Sequence, residues 1–330
     1  MATSYPRRNT SGGIWKVTDV AKNLLEHGTW PGSPTPGGRG MFGGGYAPSH
    51  DATIQYITIS TTGNATDFGD LTSVRATVAG NSSFTRFVVG GGAPSPAGTT
   101  TVMEYVTMAS TGNAADFGDL TDGRLGMGEM GNSTRGLFSG GLIPSASNII
   151  DYITIATVGN AIDFGNLTVG RNQISGSGSS TRGVFSTGQN PGSGGVLDVT
   201  DYITIASTSN ATDFGDATAA KDAAGSAGSS IRTIIGGGNT GSLSNVIEYF
   251  TIASTGDGSD FGDLSAVRQS LNSSTMSSET RGIFAGGSTP SNVNIIEYIT
   301  NASTGDAADF GDLSAVRTGV AGCSDTHGGL

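Results

Sequence analysis

Two stretches of this chain, EYVTMASTGNAADFGDL at residues 104–120 and EYITNASTGDAADFGDL at residues 297–313, are nearly the same sequence. Their shared Asp-Phe-Gly occurs six times in the chain, at intervals of 49, 47, 50, 47 and 49 residues. The phenylalanines of the six copies are Phe68, Phe117, Phe164, Phe214, Phe261 and Phe310. Self-similarity at a period of roughly 20–50 residues indicates a repeat architecture, so the fold is predicted from the repeat before anything else.

Each copy also has two residues at fixed distances from this phenylalanine. In every copy, a tyrosine precedes the phenylalanine by the same number of residues as Tyr105 precedes Phe117. A basic residue follows it by the same number of residues as Arg124 follows Phe117. The tyrosines are Tyr56, Tyr105, Tyr152, Tyr202, Tyr249 and Tyr298. The basic residues are Arg75, Arg124, Arg171, Lys221, Arg268 and Arg317. Because no copy gains or loses a residue in these intervals, the segment is predicted to consist of packed strands joined by tight turns.

Length varies in one other part of the repeat. A second arginine precedes the tyrosine by a variable number of residues. This number is smaller between Arg39 and Tyr56 than between Arg182 and Tyr202. The six arginines are Arg39, Arg86, Arg135, Arg182, Arg232 and Arg281. The insertions fall in stretches rich in Pro, Gly and Ser, such as 93–101 and 189–200, as expected of surface loops. These loops are predicted to form a variable binding face that includes Tyr46, His50, Pro94, Pro96, Pro144, Asn190, Pro191, Asn239 and Pro290.

The order of residues within one copy resembles a known repeat. In the third copy this order is Phe138-Ser139-Gly140-Gly141, then Asp151-Tyr152, then Phe164 with Leu167, then Arg171. This is similar to the kelch repeat, except that kelch repeats usually have Trp where this chain has Phe. The resemblance covers residues 39–330 and implies that each copy is a four-stranded propeller blade.

Six copies therefore predict an all-β protein, a six-bladed kelch-like β-propeller over residues 38–330. In the first full copy, strands are predicted at 75–80, 85–90, 102–109 and 115–120. The N-terminal copy begins at its second strand, and a lone first strand follows Arg317. Residues 318–323 are therefore predicted to pair beside 41–44, so that the C-terminal strand closes the first blade and leaves no unpaired edge.

Residues 1–37 have a different character and are predicted to form a leader for attachment. Both tryptophans of the protein lie here, and a short helix is predicted from about Thr18 to His27, with an apolar stripe at helical spacing. The predicted attachment residues are Ile14, Trp15, Val20, Leu24 and Trp30. This block, with the Gly-rich repeats, resembles virion structural proteins of tailed bacteriophages, especially marine ones. The resemblance implies that the protein is located in the virion and that its partners are other virion proteins.

Composition excludes several other classes of protein. The net charge of −11 argues against a nucleic-acid partner, because phosphate binding needs clustered Lys and Arg. The single cysteine, Cys323, allows no intrachain disulfide. The sequence has no signal peptide and no apolar run of membrane-spanning length, which predicts synthesis in the host cytoplasm without membrane insertion.

The paired carboxylates around the Asp-Phe-Gly motif are the main candidates for chemistry. Asp67 and Asp70, with their equivalents in the other copies, could hold Ca²⁺, or their role could be structural, in which case they cap turn amides or pair with the repeat arginines. The second interpretation is favoured, because all Lys and Arg after residue 38 occupy the two repeat positions. His27, His50 and His327 form no zinc or triad pattern, so no cofactor and no enzymatic activity are predicted.

These features predict a non-enzymatic structural protein of a phage virion, in a tail, fibre or capsid-surface position. The leader would dock on the particle, and the propeller would be an exposed interaction disc that contacts a host receptor or surface glycan. The alternative is a multivalent, lectin-like carbohydrate-binding propeller, in which six similar loops on one face bind repeated glycans. Aromatic residues in the variable loops would favour that alternative, and Tyr46 is the main one.

Overall fold

The structure, a computed structural model, describes residues 38–95, 97–192, 195–271, 275–327 and 329. This part of the chain is an all-β, six-bladed propeller and contains no α-helix. The leader, with its predicted helix and its attachment residues Ile14, Trp15, Val20, Leu24 and Trp30, lies outside the described residues, as does Pro96.

The first three blades are antiparallel four-stranded sheets. From the axis outward, the first blade contains Ala321–Ser324, Arg39–Gly43, Thr53–Thr58 and Thr66–Asp70. The second contains Ala79–Ser82, Arg86–Gly90, Val102–Thr107 and Ala115–Asp119. The third contains Gly128–Gly131, Arg135–Ser139, Ile149–Thr154 and Ile162–Asn166. In the first blade, Met41 is opposite Cys323 and Gly43 is opposite Ala321.

The other three blades repeat the pattern with local changes. The fourth contains Ser175–Gly178, Arg182–Asn190, Gly195–Thr204 and Thr212–Lys221, of which the last three are lengthened. The fifth contains Gly225–Gly228, Arg232–Gly236, Val246–Thr251 and Ser259–Asp263. The sixth contains Arg281–Ala285, Ile295–Thr300 and Ala308–Asp312, and a bridge joins Ser277 to Gly282.

Short two-residue strands lie between these sheets. Three of the pairs are small hairpins between the second and third strands of a blade: Tyr46–Ala47 with Ser49–His50, Leu142–Ile143 with Ser145–Ala146, and Ser288–Thr289 with Ser291–Asn292. The fourth pair joins Arg75–Ala76 to Ala93–Pro94. The variable loops are therefore ordered parts of the sheet system at the hairpins that the structure describes.

The inner strand begins later than the sequence predicts. Residues 75–80 were expected to form one strand, but Arg75–Ala76 is a separate short strand and the inner strand is Ala79–Ser82. The reason is Thr77, whose φ of 53° is left-handed and therefore interrupts an extended backbone. The last strand of the chain is displaced in the same way, because Gly319 has a φ of 63° and pairing begins at Ala321.

The apolar core lies between adjacent blades as well as within them. One cluster joins Met41, Ile54 and Phe68 of the first blade to Phe87 and Val106 of the second. In every blade the motif phenylalanine is buried and meets the repeat tyrosine edge to face, with ring centroids 5.9–6.1 Å apart. The fixed interval between Tyr and Phe therefore sets an aromatic pair, a geometry that adds stability beyond area burial alone.

The glycine of Asp-Phe-Gly is required by the neighbouring blade. A Cβ on Gly69 would lie 2.4 Å from the carbonyl oxygen of Gly112, in the turn of the next blade. This close approach lets the Gly112 and Ala114 amides donate to the carbonyls of Phe68 and Asp70, both at 2.8 Å. The outer edge of the first blade is thus hydrogen-bonded to the second, which protects an edge that would otherwise be open to another chain.

A closed ring of backbone hydrogen bonds surrounds the propeller axis. One residue from each inter-blade linker has a φ between 53° and 63°, and its amide donates to the carbonyl of the preceding linker over 2.6–3.2 Å. The six residues are Thr77, Gly126, Gln173, Ala223, Ser270 and Gly319. Since the amide of Thr77 donates to the Gly319 carbonyl, the ring joins the first described linker to the last.

Beyond this ring, the inner strands fill the axis. The inner strands are buried along their whole length and are rich in Gly, Ala and Ser. Their hydroxyls bond to neighbouring strands, as Ser226 does to the Gly176 carbonyl at 2.8 Å. The Thr275 hydroxyl of the sixth blade donates to the same Gly176 carbonyl of the fourth at 3.0 Å. Small side chains let the inner strands approach closely enough for these bonds.

Candidate functional site

The basic residue that follows each Asp-Phe-Gly motif is buried in an ion pair. Its partner in five repeats is the acidic residue directly before the repeat tyrosine. The five pairs are Arg75 with Glu104, Arg124 with Asp151, Arg171 with Asp201 (2.8 Å), Lys221 with Glu248 (2.7 Å) and Arg268 with Glu297. In each pair the basic residue lies in the linker after one blade, and the acidic residue lies on the third strand of the next blade. The pair therefore fixes the linker to that strand.

In the first blade, the linker arginine has a different partner. Gln55 occupies the acidic position, and Arg317 pairs instead with Asp51 from the hairpin at 2.8 Å. Gln55 still bonds to the linker, because its side-chain oxygen accepts from the Ser314 amide at 2.9 Å. Burial lowers the pKa of these arginines, in the case of Arg268 to about 10, which still leaves the guanidinium charged at neutral pH.

The second set of arginines forms an outer system of bonds between blades. Each guanidinium lies over the tyrosine ring of its own blade, 4.4–4.8 Å from the centroid, and donates to a backbone carbonyl of the next blade. The donor and acceptor residues are Arg39 and Met108, Arg86 and Ile155, Arg135 and Ile205, Arg182 and Ile252, Arg232 and Asn301, and Arg281 and Ile59. All twelve basic residues after position 38 therefore bond blades or linkers together.

The prediction that the Asp-Phe-Gly carboxylates pair with the repeat arginines is wrong. Asp67 and Asp70 are exposed, and the buried arginines take the acidic residue next to tyrosine instead. Asp67 neighbours the inward-facing Phe68 in an extended strand, so its side chain points to the opposite face. Among the described residues no three His, Cys, Asp or Glu side chains gather into a metal-binding group, so the structure offers no observation in favour of calcium at Asp67 and Asp70.

The predicted variable-face residues occupy the connections between the second and third strands. Tyr46 is 41% exposed, and its ring meets that of His50 edge to face with centroids 5.6 Å apart. Pro144 and Pro290 form the tips of two hairpins, Pro94 lies in the strand paired with Arg75, and Asn190 and Pro191 lie at the fourth-blade hairpin. Asn239 forms bridges with Asp222 and Leu243. The fold thus places these residues in one corresponding position of each blade.

Three of the exposed apolar residues that the sequence analysis did not single out share one position in the repeat. Val74, Val267 and Val316 are 43%, 41% and 40% exposed, and each directly precedes a buried repeat arginine. The corresponding positions of the other three linkers are Gly123, Gly170 and Ala220. The sequence contains this difference between copies, but the difference is not part of the pattern that the six copies share.

Cys323 and His327 are both buried, near the inner end of the first blade. Burial raises the pKa of the Cys323 thiol to about 12, and the Sγ lies 2.8 Å from the Ser82 hydroxyl. A protonated, buried thiol is a poor nucleophile. The Nδ1 of His327 accepts from the Gly329 amide at 3.1 Å, so the proton belongs on Nε2, which lies 3.3 Å from the Ser82 carbonyl.

The buried His327 is expected to make the protein less stable in mild acid. Burial lowers the pKa of His327 to about 4, against about 6.5 for an unfolded histidine. Between these values the unfolded chain binds a proton that the folded chain does not, so the free energy of unfolding falls as pH drops from about 6.5 to 4. The difference is about 3 kcal/mol at full protonation of the unfolded state. Urea unfolding at pH 7 and pH 4 should show this loss in the wild type and a smaller one in His327→Gln; equal losses would contradict it.

The geometry defines a six-bladed β-propeller whose repeated charged and aromatic residues bond its blades together. No protein-family model matches the chain, and no curated protein is significantly similar to it. The likeness to kelch repeats and to phage virion proteins therefore stays a prediction. In the part of the chain that the structure describes, no helix has the length and apolar character needed to cross a membrane.

Proposed function

We propose that this protein is a non-enzymatic structural component of a bacteriophage virion. In this proposal the leader, residues 1–37, docks on the particle, and the propeller is an interaction disc that contacts other virion proteins or a host receptor. The observation that carries the proposal is the use of the repeat residues. Since the tyrosines, phenylalanines and all twelve basic residues of the repeats pack or bond between blades, recognition is left to the hairpins, the linkers and the leader.

We further propose that the blades are kelch-like and that the C-terminal strand closes the ring. Two observations support closure. Residues 321–324 pair with 40–43 along four consecutive positions, and Gly319 supplies both an amide and a carbonyl to the axial hydrogen-bond ring. Closure of this kind would explain how a propeller with a filled axis and no disulfide keeps a fixed shape.

Host contact through a protein surface is favoured over glycan binding. Sugars bind proteins through aromatic faces as well as polar groups, and Tyr46 is the only aromatic residue in the six variable hairpins. Its ring already packs against His50. The carbohydrate-binding alternative therefore has one candidate side chain where a sixfold array would need one in each blade.

Removing the leader is expected to separate folding from assembly. A chain that begins at Gly38 keeps every strand of the propeller, so its free energy of unfolding should stay within about 1 kcal/mol of the full chain. Virions that assemble in the presence of the truncated protein should not contain it, as judged by immunoblotting of the purified particles. The matched control is the full-length Trp15→Ala, Trp30→Ala variant, which should be depleted from particles without loss of stability. Full incorporation of the truncated chain would refute the docking role.

A further inference from the structure

Val74, Val267 and Val316 form one side of the hairpin face, which we call the valine arc. They lie in three consecutive inter-blade linkers, those from the fifth to the sixth blade, from the sixth to the first, and from the first to the second. The other three linkers have Gly123, Gly170 and Ala220 in this position. At this linker position, valine is therefore confined to one half of the ring.

Backbone hydrogen bonds join the linkers of the arc to the hairpins of the first and sixth blades. The first-blade hairpin bonds to the linkers on both sides, because Gly45 donates to the Arg75 carbonyl at 2.9 Å and Tyr46 donates to the Thr318 carbonyl at 2.9 Å. The sixth-blade hairpin does the same through Gly287 and Ser288, which donate to the carbonyls of Arg317 and Gln269.

A side-chain bond completes this surface. The Asn292 amide group donates to the Tyr46 carbonyl at 3.1 Å and so joins the sixth-blade hairpin to the first-blade hairpin. Tyr46 is 41% exposed at this junction. The three valines and Tyr46 thus belong to one connected surface across the sixth and first blades.

A small axial cavity adjoins the arc. Each linker that carries a valine of the arc also supplies, three residues later, one residue of the axial ring: Thr77, Ser270 or Gly319. All six residues of the axial ring line a cavity of about 40 Å³, together with apolar side chains such as Val78 and Leu271, and the arc linkers supply three of the six. The cavity has room for the tip of one aliphatic side chain.

The charges around the arc restrict its partner. Each arc valine is followed by an arginine that is buried in an ion pair, so no cation accompanies the apolar groups. Residues 38–330 carry 12 basic and 25 acidic residues, a net charge of −13. A second copy would bring another propeller of net charge −13 against this one, whereas a basic partner gains from the opposite sign.

We propose that the valine arc and the axial cavity bind a protein segment that combines aliphatic side chains with lysine or arginine. One aliphatic side chain enters the cavity, its neighbours cover the three valines, and the basic residues face the acidic propeller. This inference deepens the proposed function and rests on it, since it names the part of the interaction disc that takes a partner and the chemistry of that partner.

The test uses the full-length protein and fluorescent dodecapeptides. The probe peptide contains Leu, Thr and Lys; in one comparison peptide Ser replaces Leu, and in another Glu replaces Lys. The arc variant is Val74→Ser, Val267→Ser, Val316→Ser, which removes apolar surface without adding charge. The control variant, Val158→Ser, Ile162→Ser, Ile231→Ser, alters three residues that are 56%, 58% and 65% exposed elsewhere.

Wild type and the control variant should bind the Leu-Lys peptide at least tenfold more tightly than either comparison peptide, and the arc variant should lose at least tenfold in affinity. Absence of binding by wild type at millimolar peptide, or equal affinity of the arc and control variants, would overturn the proposal. So would a wild-type dimer that the arc variant dissociates in sedimentation experiments, because the surface would then take a second copy. Incorporation of the Gly38-initiated chain into virions would instead refute the leader's docking role and leave the peptide result standing.

Discussion

A chain that ends at Val320 is expected to lose about 4 kcal/mol or more of its free energy of unfolding, a large fraction of a typical domain's stability. The truncation removes the inner strand of the first blade, in which Ala321 and Cys323 are buried. It also removes the acceptors of the Ser82 hydroxyl, which lies 2.8 Å from the Cys323 Sγ and 2.6 Å from the Ser324 carbonyl. The strand Arg39–Gly43 would be left with an unpaired edge beside an opened axis.

Urea unfolding followed by circular dichroism measures this effect, and dye binding to exposed apolar surface tests whether the axis has opened. The control is a chain that ends at Thr326, which keeps the whole strand Ala321–Ser324 and should be destabilised much less. Adding a synthetic peptide of residues 318–330 to the shorter chain should restore part of the lost stability. A Val320-terminated chain as stable as the Thr326-terminated one would show that strand pairing does not close the blade.

The number of blades could be predicted because the sequence pattern of one blade recurs in every copy. The constant interval from Tyr to Phe, as from Tyr56 to Phe68, appears six times, and each occurrence buries one edge-to-face aromatic pair. The requirement for glycine after phenylalanine is also readable as a constant position. Its cause, a carbonyl of the next blade 2.4 Å from a Cβ on Gly69, is a contact between repeats that no single copy contains.

The pairing of the charges could not be predicted from spacing alone. The two repeat carboxylates that stand close to Arg75 in sequence are Asp67 and Asp70, whereas Glu104 belongs to the next copy. The structure selects Glu104, because it is buried on the third strand of the next blade while Asp67 and Asp70 are exposed on the fourth strand of their own. Register between strands decides which side chains meet, and a shift by one residue turns a side chain to the other face.

The differences between copies hold most of the information on function. Shared residues such as Arg171 and Tyr152 account for the fold, and they are buried or covered by a neighbour. Val74, Val267 and Val316 break the symmetry of the repeat, as does the lengthened hairpin of the fourth blade. A partner that distinguishes one half of the ring from the other must read such positions.

The second large effect is expected from the buried pair of Arg171 and Asp201. Both side chains are fully buried, and Arg171 also donates to the carbonyls of Thr187 at 2.8 Å and Phe185 at 3.1 Å. Arg171→Met leaves the Asp201 carboxylate without its counter-ion inside the protein, which costs about 3–5 kcal/mol. Asp201 then keeps the bonds donated by Thr168, from its hydroxyl at 2.5 Å and from its amide at 3.3 Å.

A double variant separates the loss of the pair from the burial of a lone charge. Arg171→Met with Asp201→Leu removes both charges, so it should be more stable than Arg171→Met alone, even though the Thr187 and Phe185 carbonyls lose their donor. Arg182→Met is the control, because that guanidinium is partly exposed over Tyr202 and its loss should be about 1–2 kcal/mol. Urea unfolding of the four proteins at one pH and salt concentration gives the comparison. If Arg171→Met were no less stable than Arg182→Met, the buried pairs would not be what holds each linker to the following blade.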